Sequence, residues 1–365
     1  MSRSVNQTFV NCLFALMLMG VGSAWAELDV LQRPALQSAR AKTSAMLAVT
    51  RAGTRIVAVG ERGIVIVSDD NGVNWRQVPV PVSETLTNVR FVNERVGWAI
   101  GHSGIILHTT DGGQTWQLQL DGKKAADASL AMARHMLDLT PNDAKAKQQF
   151  ADAERLVADG PDKPFLDLWF RNEEEGFVVG AYGLILATTD GGKTWRSWQH
   201  HLDNSQGHHL YSIDVVGNDI YIAGEAGALF HSTDAGESFS EVKTPYSGSY
   251  FGVRHLAGGG VIAFGLRGNI YQSMDGKGGW QKISTNDESA LNAATFLDDG
   301  SIILVDQGGR VLRSRDGGRS FQAEPVRQGF PLTGAVQAAD GAMVLAGLGG
   351  VVRSAPVKVE SGAKP

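Results

Sequence analysis

Gly101-His102-Ser103-Gly104-Ile105-Ile106-Leu107-His108-Thr109-Thr110-Asp111-Gly112-Gly113-Gln114-Thr115-Trp116 is the stretch on which the reading of this chain turns. Two turn signals, Gly-x-x-Gly and Asp-Gly-Gly, bracket a short, mostly apolar run. Glycine supplies the positive φ of tight turns, and a short apolar run between turn signals reads as a strand. The pattern recurs with its closing aromatic at Trp75, Trp116, Trp195, Phe239, Trp280 and Phe321. The spacings are 41, 79, 44, 41 and 41, so one interval carries an insertion of 38 residues. A seventh copy opens at Gly347-Leu348-Gly349-Gly350 and meets Pro356 where its Asp-Gly turn should stand.

Each unit divides into four short strands, placed in the third copy at 166–170, 176–180, 184–188 and 194–199. Four strands per 40 to 45 residues is the arithmetic of a propeller blade. The expected fold is all-β, a seven-bladed β-propeller over 27–355, with a helical insertion at 121–163 and a tail at 356–365. The seventh copy supplies three strands. The segment from about Asp29 to Gln37 is expected to add the fourth and so close the ring, removing an open sheet edge.

The 365 residues include 45 Gly and only 11 Pro, as many tight turns require. Length alone would suggest two or three domains, but a repeat overrides that prior. The net charge of -5 argues against nucleic acid as a partner. Residues 1–26 read as a secretory signal peptide, with Arg3, an apolar run from about Cys12 to Val21, and Ala24-Trp25-Ala26 as the cleavage pattern. The single Cys lies in that leader, so the exported chain forms no disulfide. No apolar stretch is long enough for a direct membrane span. The expected product is a periplasmic monomer with no cofactor and no metal.

The Asp-bearing turn resembles the Asp box of bacterial neuraminidase repeats. Its acids are Asp70, Asp111, Asp190, Asp234, Asp275 and Asp316; the copy at Asp275 departs, with Lys277 where Gly is expected. Such a carboxylate accepts backbone N–H bonds within the turn, while the aromatic packs between blades. Successive turns of a ring stand too far apart for two acids to share a reaction. The six acids are therefore structural, and no catalytic residue is assigned.

Val59-Gly60-x-x-Gly63, Gly101-x-x-Gly104 and Val179-Gly180-x-x-Gly183, each followed by its Asp box, resemble the photosystem II stability/assembly factor family over residues 45 to 355. The resemblance implies a seven-bladed, non-enzymatic propeller that serves membrane-protein assembly outside the cytoplasm. It implies an integral membrane protein or envelope complex as partner. In non-photosynthetic bacteria an inner-membrane transporter is among the candidates, and in a photosynthetic host the site of action is the thylakoid lumen. The 38-residue insertion and the turn Asp306-Gln307-Gly308-Gly309 depart from the family's photosynthetic members.

The turns between second and third strands lie on the face opposite the Asp boxes. Their framework glycines repeat while the residues between them vary, as on a binding surface held by a rigid scaffold. They present Arg62, His102, Tyr182, Glu225, Arg267 and Asp306 as candidate partner-binding groups. The alternative reading is a glycan-binding or sialidase-like hydrolase, with Tyr182 as nucleophile, Glu225 as its base and Arg62 and Arg267 for a substrate carboxylate. Against it, the Arg-Ile-Pro signature is missing and no third arginine is evident. His200, His201, His208 and His209 raise a metal site, but no carboxylate or Cys completes the set.

In the insertion, Leu130, Ala133, Met136 and Leu137 share one helical stripe. Thr140-Pro141 reads as the start of a second helix carrying Phe150, Ala153 and Val157, and Gly160-Pro161 ends it. A helical hairpin between blades two and three is expected to project on the same face as the variable turns.

Overall fold

The computed structural model describes residues 31–354. The expected signal peptide, the expected tail and residues 29–30 of the expected closing strand lie outside these. Seven antiparallel sheets follow one another along the chain, six of four strands and one of three. Blade two shows the plan: Leu86–Phe91, Gly97–Gly101, Ile106–Thr109 and Gln117–Leu120 pair in order. The first strands of neighbouring blades contact one another all the way round, so they line the axis of the ring.

Second strands are buried on both faces, because each sheet is sandwiched between two others. Gly97-Trp98-Ala99-Ile100-Gly101 is buried at every position. This explains why alternation is short in the sequence: a doubly covered strand reads as a continuous apolar run. Fourth strands form the rim and are brief, two to four residues, in five blades; that of blade six, Gln322–Arg327, has six. In blade three the fourth strand is only Arg196–Ser197, against the six residues expected there. A short, polar outer strand leaves little edge for another chain to pair with.

The core is a set of interfaces between blades. Trp116 of blade two packs beside Val57 and Val67 of blade one. Trp195 of blade three joins Val96, Trp98 and Ile100 of blade two. Trp98 also stacks on Phe170 of blade three, ring centroids 3.6 Å apart and 6° from parallel. Each box aromatic therefore joins its own blade to the preceding one.

Two glycines, three residues apart, set the turn between second and third strands in six of the seven blades. A Cβ on Gly101 would stand 2.2 Å from the carbonyl oxygen of Thr85, just before the blade's first strand. Gly104 has φ +60, which a side chain disfavours.

The seam differs from expectation. Residues 31–37 contain no strand and run beside blade one, not blade seven: Ala35 N donates to Val80 O at 3.0 Å, and Gln77 Nε2 donates to Leu36 O at 2.9 Å. Among the described residues blade seven has three strands, Leu332–Gln337, Met343–Gly347 and Gly350–Arg353. Among the described residues the ring closes by packing Ile56, Val49 and Trp75 of blade one on Ala338, Ala342 and Val344 of blade seven. Arg353 Nε donates to Asn71 O across the seam at 2.9 Å, and Thr333 Oγ1 donates to Met46 O at 2.7 Å. Blade one already holds all four of its strands, so the N-terminal segment is free to cover its rim.

The insertion forms two helices, α1 (Gly122–Leu139) and α2 (Ala144–Asp159). Asp121 caps α1 by accepting from Lys124 N at 3.0 Å. Thr140, expected to open the second helix, instead closes the first, its Oγ1 donating to Met136 O. The cap of α2 is Asp143, which accepts from Ala146 N at 2.9 Å. Pro141 sits in the turn, and a carboxylate is a better N-cap than the threonine three residues earlier. Gly160, at φ +89, ends α2. Among described residues no helix is long and apolar enough to cross a membrane.

Candidate binding face

Strand direction divides the ring into two faces. First-to-second and third-to-fourth turns share one face; second-to-third turns, the links between blades and the helical hairpin share the other. The Asp-box face is built by repetition. Ser68 Oγ donates to Asp70 Oδ1 at 2.9 Å and accepts from Gly72 N at 2.8 Å, while Asp70 Oδ1 also accepts from Asn74 N. The same bonds recur at Thr109–Asp111, Thr188–Asp190, Ser232–Asp234 and Ser314–Asp316. A hydroxyl four residues on adds a second bond, as from Ser320 to Asp316 at 2.6 Å. That bond leads the set that lowers Asp316 to about 2, and the bond from Ser238 likewise holds Asp234 below the usual carboxylate range. Asp275 is turned differently. It accepts from Lys277 N and Gly278 N, two and three residues on, because Lys277 displaces the glycine of the other copies. These carboxylates are consumed by their own turns.

On the opposite face, Arg62, Tyr182 and Arg267 stand at one equivalent turn position, with φ of 54–55. Ser103 and Ala226 hold the same place and the same left-handed conformation. Because Ser and Ala share it, the conformation belongs to the turn and not to one side chain. Its effect is to point the variable side chain outward: Arg62, Tyr182 and Arg267 are exposed, Tyr182 at 57%. His102 precedes this position in its turn and is also exposed. Glu225 also precedes it, and its Oε2 accepts from His209 N at 3.3 Å.

Asp306 is a correction. Leu291 pairs with it as Leu86 pairs with Gly101, so it occupies the framework-glycine position and the variable residues are Gln307 and Gly308. Its carboxylate is fully buried and accepts from Arg310 N and Nε at 2.8 and 2.6 Å. Arg310 in turn meets Asp287 at 2.9 Å. The acid braces blade six and presents nothing to a partner.

Among the described residues, no hydrogen bond or ion pair joins any two of the six candidates. His209 links two of them indirectly: its Nδ1 accepts from Tyr182 N at 2.8 Å, its ring packs edge-on against Tyr182 at 4.9 Å, and Glu225 lies on its other side. Lys163, at the foot of the hairpin, lies over the Tyr182 ring at 5.1 Å. The histidine cluster is divided among separate tasks. His209 braces the Tyr182 turn and His201 Nδ1 bonds Glu237 O at 2.6 Å. Among described residues no group of three His, Cys, Asp or Glu is placed to hold a metal.

Sequence reasoning passed over a polar network on the inner strands. Asp167 Oδ1 accepts from Asn88 Nδ2 at 2.8 Å, and its Oδ2 accepts from Ser212 Oγ and Ile213 N. One buried acid thus joins blades two, three and four, and its burial raises its pKa against the pull of Arg254 and Arg90. The signal was available: Phe165-Leu166-Asp167-Leu168-Trp169-Phe170 places one acid inside an apolar strand, and a buried carboxylate requires partners.

The family described as "Photosynthesis system II assembly factor YCF48" matches residues 67–136 and 153–287, more than half of the chain. The chain belongs to this family. The interval between the two matched stretches, 137–152, is the distal part of the hairpin. The photosystem II assembly lipoprotein Ycf48 of Synechococcus sp. (strain CC9902) is 38% identical over 77 residues, covering 21% of this chain and 23% of the relative. The chloroplastic photosystem II stability/assembly factor HCF136 of Oryza sativa subsp. japonica is 32% identical over 124 residues, covering 32% and 30%. The matched stretches thus span less than a third of these relatives. Among solved structures, YCF48 bound to a D1 peptide superposes with a TM-score of 0.62 at 16% identity, covering 87% of this chain and 94% of that one. The WD40 propeller domain of Doa1 gives 0.60 at 13% identity, covering 88% and 95%. At such identities the likeness shows the propeller fold.

Proposed function

We propose that this protein is an exported, non-enzymatic assembly factor. It binds an integral membrane protein or envelope complex through the variable-turn face and the helical hairpin. The observation that carries the reading is the contrast between faces in a member of this family: the Asp-box acids are bonded within their own turns, while Arg62, His102, Tyr182 and Arg267 stand exposed from rigid turns opposite. Family membership and relatives named as photosystem II assembly factors support the assembly role. The solved YCF48 is bound to a D1 peptide, which supports a peptide as the kind of ligand taken here. The partner here is a membrane protein with loops on the periplasmic or lumenal side, an inner-membrane transporter among the candidates. The protein works as a monomer that uses no cofactor and no metal.

The test is affinity purification from solubilised membranes, using the full chain and a variant with 123–163 replaced by a short Gly/Ser linker. The full chain should recover a defined integral membrane protein, and the variant should recover less of it. Recovery of no membrane protein by the full chain overturns the reading. Equal recovery by both removes the hairpin from the interface.

A further inference from the structure

The hairpin is tied to the loop after blade three at two points. Lys145 Nζ lies 3.7 Å from Asp203 Oδ1, and Gln149 Nε2 donates to Gln199 O at 3.4 Å. Below these ties, α1, α2, the Tyr182 turn and residues 199–207 enclose a groove of about 590 Å³, within the range of ligand-binding clefts. Its apolar walls are Met132, Met136, Leu156, Leu184, Leu202 and Tyr182.

Two features define what the groove accepts. The first is charge. Its lining holds three cations and three acids, each cation facing one acid: Lys145 with Asp203 at 3.7 Å, Arg155 with Asp152 at 3.5 Å and Lys163 with Asp159 at 3.5 Å. His200 adds no charge at neutral pH, since burial and then the neighbouring His201, His135 and Lys145 lower it to about 4. No unpaired charge awaits an ionic ligand. The second is unused hydrogen-bonding capacity. Ser129 is 2% exposed and its Oγ has no partner; the buried His200 Nδ1 has none either. Both residues line the groove, and a hydroxyl inside a helix ordinarily bonds back to the preceding turn.

We propose that this groove binds a neutral, extended peptide segment with a bulky apolar side chain, contributed by the membrane partner. A peptide brings one N–H and one C=O per residue; its side chain enters between the methionines, and its polar groups reach Ser129 Oγ and His200 Nδ1, which are covered in the empty groove, as the side chains over them give way. An acyl chain would fill the same volume but gain no hydrogen bond from either atom. Methionine walls adapt to differing apolar side chains, as a surface serving several loops of one partner requires. The inference deepens the proposed function and rests on it for the source of the segment.

Selection of phage-displayed random octapeptides on the full chain is the test. Enriched sequences should be uncharged and carry Leu, Phe or Met. An end-capped synthetic copy of the best should lose about tenfold or more in affinity on Met136→Glu and a similar factor on Ser129→Ala. The serine variant should melt no lower than the wild type, because it removes an unpaired buried hydroxyl. Lys282→Glu, exposed on the outer strand of blade five, should leave affinity unchanged. Enrichment of charged peptides, no enrichment over an unrelated propeller, or affinity unaffected by both groove variants overturns the inference. The membrane purification separates the two readings. If wild type and groove variants recover the partner equally, the groove inference fails and the proposed function stands; if the wild type recovers none, the proposed function fails whatever the peptides do.

Discussion

The two faces of the ring are made from the same kind of element and put it to opposite use. On one, a hydroxyl, a carboxylate and a glycine repeat in five near-identical turns, and every acid is bonded inside its own loop. On the other, glycines repeat and the residues between them do not: Glu61-Arg62, His102-Ser103, Ala181-Tyr182, Glu225-Ala226 and Leu266-Arg267 occupy one shared backbone geometry. Repetition that consumes its own polar groups marks a scaffold. Constant backbone with changing side chains marks a surface available for recognition. Stability and binding should therefore separate by face.

The largest effect tests the scaffold side. Trp116→Ala removes an anchor packed between blades one and two and should cost about 3–5 kcal/mol, read by urea unfolding. A loss below about 1 kcal/mol would mean that the box aromatics do not hold the blades together. Next comes the framework of the variable face. Gly101→Ala drives a Cβ onto the Thr85 carbonyl and should cost about 1–3 kcal/mol in the same assay.

Smaller is the pH-dependent term of the Asp boxes. Asp316 titrates lower in the folded chain, at about 2, than a free aspartate at about 3.9. Its contribution is therefore fully present above pH 4 and is lost as pH falls toward 2. The gap in melting temperature between wild type and Asp316→Asn should hold steady from pH 7 to 5 and close by pH 2. A gap that widened on acidification would reverse the sign of this argument. The smallest stability effect belongs to the variable positions: Arg62→Ala and Arg267→Ala should change stability by no more than about 0.5 kcal/mol. A larger cost would return those side chains to the scaffold.

What was legible in the sequence follows the same division. The propeller, its blade boundaries and the box acids could be read because each repeats under one physical demand, a glycine where a Cβ cannot fit or a carboxylate that satisfies a turn. The seam was misplaced because ring closure by side-chain packing, as between Ile56 and Val344, leaves no strand pattern to find. Asp306 was misjudged because one residue's shift moves a side chain from the surface to the interior, and only pairing with Leu291 reveals the register. The histidines at 200–209 raised a metal site by proximity in sequence, but His201 and His209, on one link between blades three and four, bond to different turns, at Glu237 and at Tyr182. The groove beneath the hairpin was not legible, since it depends on how two helices meet a loop some fifty residues later.

The most direct test of the account is site-specific photocrosslinking in intact cells. A photoreactive residue is placed at 62, 182 or 267 on one face and at 73, 193 or 319 on the other, followed by purification of the adducts. The account predicts adducts with the same integral membrane protein from the first three positions and none from the second three. Adducts formed chiefly from 73, 193 and 319 would place the partner on the Asp-box face and contradict it.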